Sequence, residues 1–339
     1  MSDGQRHRVR LKDAPTEWEV AHGDTILRAA LRAGVPFPYE CNSGGCGSCR
    51  FTPLEGRVEE LWPDAPGLSR RDIRKGRKLA CQCRPTSDLT IEARLENERP
   101  PAPAPRRFQA RYLGRDRLTA DMAEFHFAPD AAAAFLPGQY AMIAIPGIGE
   151  RAYSFSGHPA EAGARLSFII KRTPDGRASN WLFDQLREGD ELAMDAPYGL
   201  AHLRDTGRDL VLIAGGSGLS PVLSIARAAT TDPAFAGRTA HLFYGGRGPA
   251  DICTPALVRE LGGGGAGLLC RNAISDPRQA ADWGGPVGMI HELVARELND
   301  LARHDFYFCG PPPMTEAVRR MLMLDHKVPF GQLHYDRFF

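Results

Sequence analysis

Three closely spaced cysteines are the residues of this chain best suited to redox chemistry. Cys41, Cys46 and Cys49 form a C-x4-C-x2-C motif, and Cys81 and Cys83 follow later in the chain. This spacing is typical of [2Fe–2S] clusters, in which four thiolates hold two irons. The glycines between the cysteines bring backbone N–H groups close to the bridging sulfides and permit positive φ angles. The motif therefore predicts a cluster held by four cysteines.

The cysteine pattern alone leaves two alternatives open. A structural zinc site usually takes its ligands from two CxxC-like pairs, and the spacing here, with one distant partner, fits that arrangement less well. The fourth cluster ligand is Cys81 or Cys83, because in an extended segment their side chains share one face. The chain has eight cysteines, and we interpret Cys253 and Cys270 as buried thiols.

A glycine-rich turn after an apolar strand is the second candidate site. The predicted strand 210–214 runs directly into this turn, which opens a predicted helix. The turn has the Gly-x-Gly pattern of dinucleotide-binding loops, with a proline where the third glycine usually stands. Proline is favourable in the first helical turn, and the helix N-terminus points at a pyrophosphate. The predicted nucleotide-binding residues are Gly215, Gly216, Ser217, Gly218 and Pro221.

Two further groups of candidates follow later strands of the same region. They are Tyr244, Arg247 and Asp251 after the second strand, and Cys309, Gly310 and Pro311 after a late strand. Ligands bind at strand carboxyl ends in such sheets, so both groups belong to the predicted nucleotide site. A 2′-phosphate wants a dedicated cation, whereas a carboxylate favours the free ribose hydroxyl. Because Arg247 stands alone with Asp251 nearby, the sequence favours NADH over NADPH.

Three regions of different pattern must position these residues. Residues 1–99 combine a predicted hairpin, a helix over 25–33 with Asp24 as its N-cap, and the cysteine motif. Residues 100–105 read Pro-Pro-Ala-Pro-Ala-Pro, which favours an extended spacer, so we place a linker at 100–106.

The two regions after the linker differ in periodicity. Residues 107–206 contain short predicted strands punctuated by glycine and proline, which suggests a small barrel or sandwich. Residues 207–339 alternate apolar strands with helices, which predicts a parallel α/β sheet. The predicted strands are 108–113, 122–127, 140–145 and 165–171, then 210–214, 240–244, 268–273 and 306–309. The predicted helices of the last region lie near 221–229, 255–261, 289–301 and 313–324.

The segment around the second group of cysteines resembles the closing segment of ferredoxin domains. It reads Ala80-Cys81-Gln82, followed by Pro85-Thr86-Ser87-Asp88-Leu89. In such domains the first cysteine is the ligand, so the resemblance implies Cys81 as the fourth ligand and Cys83 as a small packed residue. It also implies a β-grasp fold for residues 1–99.

The middle region resembles the flavin domain of the ferredoxin–NADP⁺ reductase superfamily. The motifs that carry the resemblance are Pro137-Gly138-Gln139-Tyr140, Arg151-Ala152-Tyr153-Ser154 and Gly176-Arg177-Ala178-Ser179, in that order. The resemblance implies an antiparallel barrel that binds FAD. Its implied FAD-binding residues are Arg151, Tyr153, Ser154, Ile170, Lys171, Gly176 and Ser179.

Each implied FAD contact has a matching side-chain chemistry. Arg151 can pair bidentately with a pyrophosphate, and Tyr153 offers a flat ring and a hydroxyl. Ser154 can hydrogen-bond the redox-active flavin nitrogen, while Gly176 and Ser179 would meet phosphate at a helix start.

The same superfamily implies two catalytic residues in the last region. Its matching cysteine, here Cys309, lies beside the reacting nicotinamide carbon, and the alternative is a buried strand-end thiol. A terminal aromatic ring stacks on its flavin; Phe338 aligns best, and Phe339 is possible. The alternative for this terminus is a core-packing role.

The whole chain resembles the three-domain NADH-dependent reductase components of bacterial oxygenases, especially those of toluene monooxygenases. The segments that carry the closer likeness are residues 39–47, 61–68 and 327–339. The resemblance implies hydride transfer from NADH to FAD near Ser154 and Cys309, then single-electron steps through the cluster. The implied acceptor is a Rieske-type ferredoxin or a diiron hydroxylase. The alternatives are a reductase of a Rieske ring-hydroxylating dioxygenase and a redox sensor without turnover.

Composition and charge exclude several other classes of protein. With 42 Lys and Arg against 41 Asp and Glu, no field of one sign favours nucleic acid. No apolar run approaches a membrane span and the N-terminus is polar, so we expect a cytoplasmic protein. We also expect a monomer. Residues 69–78 carry six basic residues against one acid, Asp72, which indicates either a solvated face or a docking surface for an acidic electron acceptor.

Overall fold

The structure, a computed structural model, describes residues 5–96, 103–259 and 261–336. The chain forms two compact units, one reaching up to Arg106 and the other spanning Arg107–Tyr335. Part of the predicted linker, residues 100–102, lies outside the described residues, as do Phe338 and Phe339. Among the described residues, no helix is long and apolar enough to cross a membrane.

The first unit is built on a mixed sheet around one main helix. Its helices are α1 (Ile26–Arg32) and α2 (Arg70–Arg74), and its strands are β1 (Arg6–Leu11), β2 (Glu17–Ala21), β3 (Arg50–Glu55), β4 (Val58–Glu60), β5 (Lys78–Leu79), β6 (Cys83–Pro85) and β7 (Leu89–Glu92). The sheet order is β2-β1-β7-β3-β5, with β1 parallel to β7 and antiparallel to β2, and β4 pairs with β6. This is the β-grasp arrangement.

The N-cap of α1 is Thr25, not the predicted Asp24. The Thr25 hydroxyl accepts a hydrogen bond from the Arg28 backbone N–H at 3.3 Å. Asp24 instead accepts from the Thr25 N–H at 2.8 Å and pairs with Arg32. The expected helix stop is present, since Gly34 adopts a φ of +74°.

The second unit begins with a six-stranded antiparallel sheet. Its strands are β8 (Arg106–Arg117), β9 (Met122–Pro129), β10 (Tyr140–Ile145), β11 (Gly149–Ser154), β12 (Leu166–Lys171) and β13 (Glu191–Tyr198), and its helix is α3 (Arg177–Asp184). The order is β11-β10-β13-β8-β9-β12. The Ser156 N–H beyond β11 donates to the Ser167 carbonyl in β12 at 2.7 Å, so the outer strands approach each other as in a barrel. An aromatic core, including Phe125, Phe127 and Phe168, fills the interior.

The rest of the second unit is a five-stranded parallel sheet covered by helices. Its strands are β14 (Asp209–Gly215), β15 (Thr239–Gly246), β16 (Gly267–Ile274), β17 (His304–Cys309) and β18 (Leu333–His334). Its helices are α4 (Leu219–Thr231), α5 (Thr254–Val258), α6 (Ile290–Glu297) and α7 (Pro312–Arg320). In the order β16-β15-β14-β17-β18 all strands are parallel, but successive strands are added on one side of β14 and later ones on the other. This change of side between β14 and β17 creates a crevice at their carboxyl ends.

These three architectures confirm the predicted fold class. The apolar runs predicted as strands after residue 107 each fall within an observed strand or overlap it. Strands β11 and β13 were not predicted, and α5 and α6 end earlier than their sequence patterns indicated, at Val258 and Glu297.

Candidate functional site

The cysteine loop brings its thiols together as two pairs. The Sγ atoms of Cys41 and Cys46 lie 3.3 Å apart, and Cys49 contacts Cys81 through a thiol–thiol hydrogen bond. Backbone N–H groups of the loop point at sulfur: those of Ser43 and Cys46 lie 3.4 and 3.3 Å from the Cys41 Sγ. Two thiol pairs with N–H donors are what two irons held by two thiolates each require.

The chemistry of these thiols also fits a cluster. The hydrogen bond with Cys49 and burial both raise the pKa of Cys81 well above its usual value. Such a thiol gives up its proton when a metal cation replaces it, which couples metal binding to proton release. Within the described part of the chain, no three His, Cys, Asp or Glu side chains are arranged around a single ion position. The residues present fit a two-iron group because their thiols form two pairs, Cys41 with Cys46 and Cys49 with Cys81.

Cys81 and Cys83 point to different surroundings. Residues 80–82 form a single helical turn between β5 and β6, which interrupts the extended alternation assumed from the sequence. Cys81 faces the loop cysteines, whereas Cys83 pairs across β4 and β6 with Glu60. Burial, followed by the charge of Glu60, raises the pKa of Cys83 to about 12.

Backbone contacts around Gly47 explain why the cysteine loop needs glycine. Gly47 has a φ of +75°, and a Cβ there would lie 2.3 Å from the Gly67 carbonyl oxygen. The Gly67 N–H donates to the Gly44 carbonyl at 2.9 Å. The segment around Gly67 therefore packs backbone to backbone on the loop, a distance that no side chain would permit.

The predicted flavin residues occupy β11, β12 and the start of α3. Arg151 and Tyr153 lie two positions apart on β11, and Ser154 is the last residue of that strand. Burial raises the pKa of the Tyr153 phenol to about 12, although the nearby Arg151 lowers it slightly. The Tyr153 hydroxyl therefore stays protonated at neutral pH and is available as a hydrogen-bond donor.

The start of α3 is shaped as a turn with free N–H groups. Gly176 is the N-cap, and no side chain caps the helix there. The Ser179 hydroxyl accepts from the Thr173 N–H at 3.1 Å and donates to the Gly176 carbonyl at 3.2 Å. A Cβ on Gly176 would lie 2.7 Å from the Ser179 Oγ, so the turn requires glycine. The uncapped N–H groups suit a phosphate.

Two flavin candidates on β12 differ in what they can offer. Ile170 is buried in the aromatic core of the antiparallel sheet, so a ligand could meet only its backbone. The Lys171 ammonium pairs with Asp121 at 3.2 Å, and its side chain reaches toward Gly216 of the glycine turn.

The glycine turn closes the crevice between β14 and β17. Cys309 pairs in register with Ala214, and a Cβ on Gly218 would lie 2.1 Å from the Cys309 carbonyl oxygen. Gly216 adopts a φ of +56°, while Ser217 is exposed above the turn. Pro221 stands in the first turn of α4, as the sequence predicted.

Gly310 and Pro311 line the other wall of the crevice. A Cβ on Gly310 would lie 2.5 Å from the Met314 Cε, and one on Gly215 would lie 2.7 Å from the Met314 Sδ. Pro311 caps α7. The glycines on both walls therefore let the two strand ends approach closely around one methionine.

Ser220, which sequence reasoning did not single out, joins the two halves of the site. Its hydroxyl donates to the Ser154 carbonyl at 2.6 Å and accepts from the Ile169 N–H at 3.0 Å. It is 2% exposed. Since Ser220 lies two residues after Gly218, this bond holds the end of β11 against the nucleotide turn.

Two further polar residues of α4 continue the same connection. The Ser224 hydroxyl donates to the Gly157 carbonyl at 2.8 Å. Arg227 pairs with the buried Glu124 at 2.8 Å and donates to the Ser156 carbonyl at 2.7 Å. Positions 220, 224 and 227 lie on one helix face, so a polar stripe on this otherwise apolar helix was the available sequence signal.

The end of β15 carries a cluster of alternating charges. Arg247 pairs with Asp251 at 3.3 Å, and the same carboxylate accepts from the Arg247 backbone N–H at 2.9 Å. Burial raises the pKa of Asp251, but these bonds and Lys171 lower it overall. Asp121, also missed from the sequence, lies between Lys171 and Arg247. The Tyr244 ring is buried in the core, where burial first and then Cys253, Asp251 and Asp121 raise the pKa of its phenol.

Comparisons with known proteins match all three architectures. Residues 9–86 match the family model of the 2Fe-2S iron-sulfur cluster binding domain. Residues 111–203 match that of the oxidoreductase FAD-binding domain, and residues 212–320 match that of the oxidoreductase NAD-binding domain.

Whole-chain relatives decide the family. The ferredoxin–NAD(P)⁺ reductase CarAd of Metapseudomonas resinovorans is 41% identical over 94% of this chain and 95% of its own length. The ferredoxin–NAD⁺ reductase component of the alkene monooxygenase system of Xanthobacter autotrophicus is 40% identical over 97% of this chain and 100% of its own length. The chain belongs to the family of ferredoxin–NAD(P)⁺ reductase components of oxygenase systems.

One solved structure is similar to this chain over almost its whole length. The ferredoxin reductase in carbazole 1,9a-dioxygenase is 34% identical, with a TM-score of 0.88, over 99% of both chains. The predictions of an oxidoreductase that uses FAD, a [2Fe–2S] cluster and NADH are therefore confirmed. The predicted positions of the cofactor contacts stay predictions.

Proposed function

We propose that this reductase passes electrons from NADH to a Rieske-type ferredoxin or to the diiron hydroxylase of a hydrocarbon monooxygenase. The observation that carries the proposal is the Ser220 hydroxyl, which bonds the end of β11 to the nucleotide turn. Hydride transfer needs the nicotinamide and flavin sites to adjoin. This bond supports their adjacency, because Ser154 ends one site and Gly218 belongs to the other.

The proposed roles of the residues follow from their positions. Bound flavin would supply the conversion between a two-electron hydride donor and one-electron acceptors. Arg151 and the uncapped start of α3 would hold its phosphates, and the Ser154 hydroxyl would orient its ring. The glycine turn with α4 would hold the NADH pyrophosphate, and Cys309 would border the nicotinamide. Phe338 would cover the flavin; it lies outside the described residues.

The cluster ligands we propose are Cys41, Cys46, Cys49 and Cys81. We keep domain limits of 1–99, 107–206 and 207–339, with the linker at 100–106. We also propose a cytoplasmic monomer.

The monooxygenase type of the acceptor system is proposed from relatives and sequence likeness together. Relatives include the electron transfer component of the xylene/toluene monooxygenase of Pseudomonas putida, at 35% identity over 97% of this chain. Segments 61–68 and 327–339 resemble toluene monooxygenase reductases most. The carbazole dioxygenase reductase, through its structural similarity, favours a dioxygenase acceptor as the second candidate.

The test compares electron acceptors with different needs. The full protein should reduce ferricyanide and cytochrome c rapidly with NADH, whereas a chain truncated before Arg106 should keep only ferricyanide reduction. A full protein that binds FAD and iron but turns over with neither acceptor would instead be a redox sensor. Reconstitution with a toluene-type ferredoxin and hydroxylase, against a Rieske dioxygenase, separates the two oxygenase classes by the rate of NADH-coupled product formation.

A further inference from the structure

Residues 61–75 form a face that packs directly on the cysteine loop. The Gly67 N–H bonds to the Gly44 carbonyl at 2.9 Å, and the Leu61 N–H bonds to the Gln82 carbonyl, also at 2.9 Å. The segment thus contacts both the loop and the residue after Cys81. Any protein that docks on it comes close to the proposed cluster.

The face exposes three large apolar side chains. Trp62, Leu61 and Ile73 are 46%, 38% and 54% exposed. The Trp62 ring packs over Gly44, since a Cβ there would lie 3.2 Å from the ring carbon Cε3. Exposed tryptophan supplies large contact area at low entropic cost and is enriched at the energetic centres of protein interfaces.

Cations outnumber acids around these side chains, although Asp64 of the same face is also exposed. Asp72 is buried, closes the N-terminal turn of α2 with Ser69, and pairs with Arg77 at 2.8 Å and Arg50 at 3.5 Å. Its carboxylate is therefore used inside the unit. The cations of α2 and its C-cap stand exposed, with no acidic partner within the described ranges; they are Arg70, Arg71, Arg74 and Lys75.

We infer that this face docks the electron acceptor, and that the acceptor is a one-electron redox protein with an acidic rim around an apolar contact. The inference rests on the proposed function and names the chemistry of its partner. Four unpaired cations beside an exposed tryptophan match carboxylates around an apolar centre. Opposite charges at such a rim raise the association rate and make it sensitive to salt.

The test reverses two of these charges in the full holoprotein. The variant Arg74→Glu/Lys75→Glu changes the charge by the same amount as the control Arg8→Glu/Arg57→Glu. Arg8 and Arg57 are exposed, and their backbone N–H groups bond to the side chains of Asp88 and Ser87. They lie at the C-terminal end of β3, whereas Cys49 precedes its N-terminal end. The probes are the acidic soluble domain of cytochrome b5 and the basic protein cytochrome c, each reduced with NADH in a stopped-flow instrument.

We expect the Arg74/Lys75 variant to reduce cytochrome b5 about tenfold more slowly than wild type at low salt. The difference should close at about 0.5 M salt, where the Debye length falls below about 5 Å. Cytochrome c reduction should not slow, and the control should stay within about twofold of wild type. Trp62→Ala should slow cytochrome b5 reduction at both salt concentrations, and Trp62→Phe should restore most of the rate.

Three results would overturn the inference. The first is a rate for the Arg74/Lys75 variant equal to that of the control at every salt concentration. The second is slower reduction of the cluster by NADH in the Arg74/Lys75 variant when no acceptor is present. That result would mean that the face serves electron transfer from the chain's own flavin. The third is Trp62→Ala matching wild type. Failure of the proposed function looks different, because wild type itself would then reduce neither cytochrome.

Discussion

Removing Arg227 should destabilise the second unit by leaving the buried Glu124 carboxylate without its cation. Glu124 is 5% exposed, and its remaining partner is the Ser156 hydroxyl at 2.6 Å. Breaking a buried ion pair from one side costs about 3–5 kcal/mol. Because 22% of the Arg227 side chain is exposed, we expect Arg227→Met to cost about 3 kcal/mol, at the low end of that range.

The size of this loss should depend on pH. In the folded protein burial raises the pKa of Glu124, but Arg227 and Ser156 lower it below its usual value overall. The pair therefore stabilises the fold above the unfolded pKa of about 4.3, and this contribution is lost as pH falls through the folded pKa. Without Arg227, burial dominates and the folded pKa rises. Protonation then relieves the variant at acidic pH, so its deficit should be smaller at pH 5.5 than at pH 8.

Guanidinium unfolding of the holoprotein at fixed FAD concentration measures this deficit through tryptophan and flavin fluorescence. The double variant Arg227→Met/Glu124→Gln removes the stranded charge and should recover about 2 kcal/mol of the loss. A deficit that is equal in the single and double variants, or constant with pH, would refute the reasoning.

Other predictions concern the cofactor sites. Cys81→Ser should abolish the visible absorbance and iron content of the cluster while FAD stays bound, and Cys83→Ser should preserve both; normal iron in the first variant would contradict our ligand assignment. Asp251→Ser should remove the closer of the two carboxylates at Arg247 and raise the ratio of kcat/KM for NADPH to that for NADH several-fold, and an unchanged ratio would count against the Arg247–Asp251 pair as the cause of selectivity. Gly218→Ala should raise the KM for NADH at least tenfold, because its methyl group would displace the turn from the end of β17; wild-type kinetics would show that the close approach is dispensable.

Local signals in the sequence predicted most of the fold. Apolar runs separated by glycine and proline gave the parallel sheet, because each buried strand is short and continuous in sequence. One error arose where two residues competed for the same local role. Asp24 and Thr25 both suit a helix N-cap, and the ion pair of Asp24 with Arg32 leaves the cap to Thr25.

The candidate site was predictable only where its residues follow each other in the chain. The cysteine loop and the glycine turn are contiguous, so their chemistry is legible from spacing. Cys81 and Cys83 face different surroundings because residues 80–82 form a helical turn. The sequence pattern predicted an extended segment there and gave no sign of this turn. Arg227 meets Glu124 from 103 positions away, and only folding brings such partners together.

The polar face of α4 bears on how such reductases can be recombined. A chimaera that imports a foreign nucleotide-binding half after residue 206 would replace Ser220, Ser224 and Arg227 but keep their partners in the flavin-binding half. Glu124 would then be a buried anion facing an unrelated helix. The two halves of the second unit therefore have to be exchanged together. A successful exchange must transfer Glu124 together with α4, whose Arg227 neutralises it.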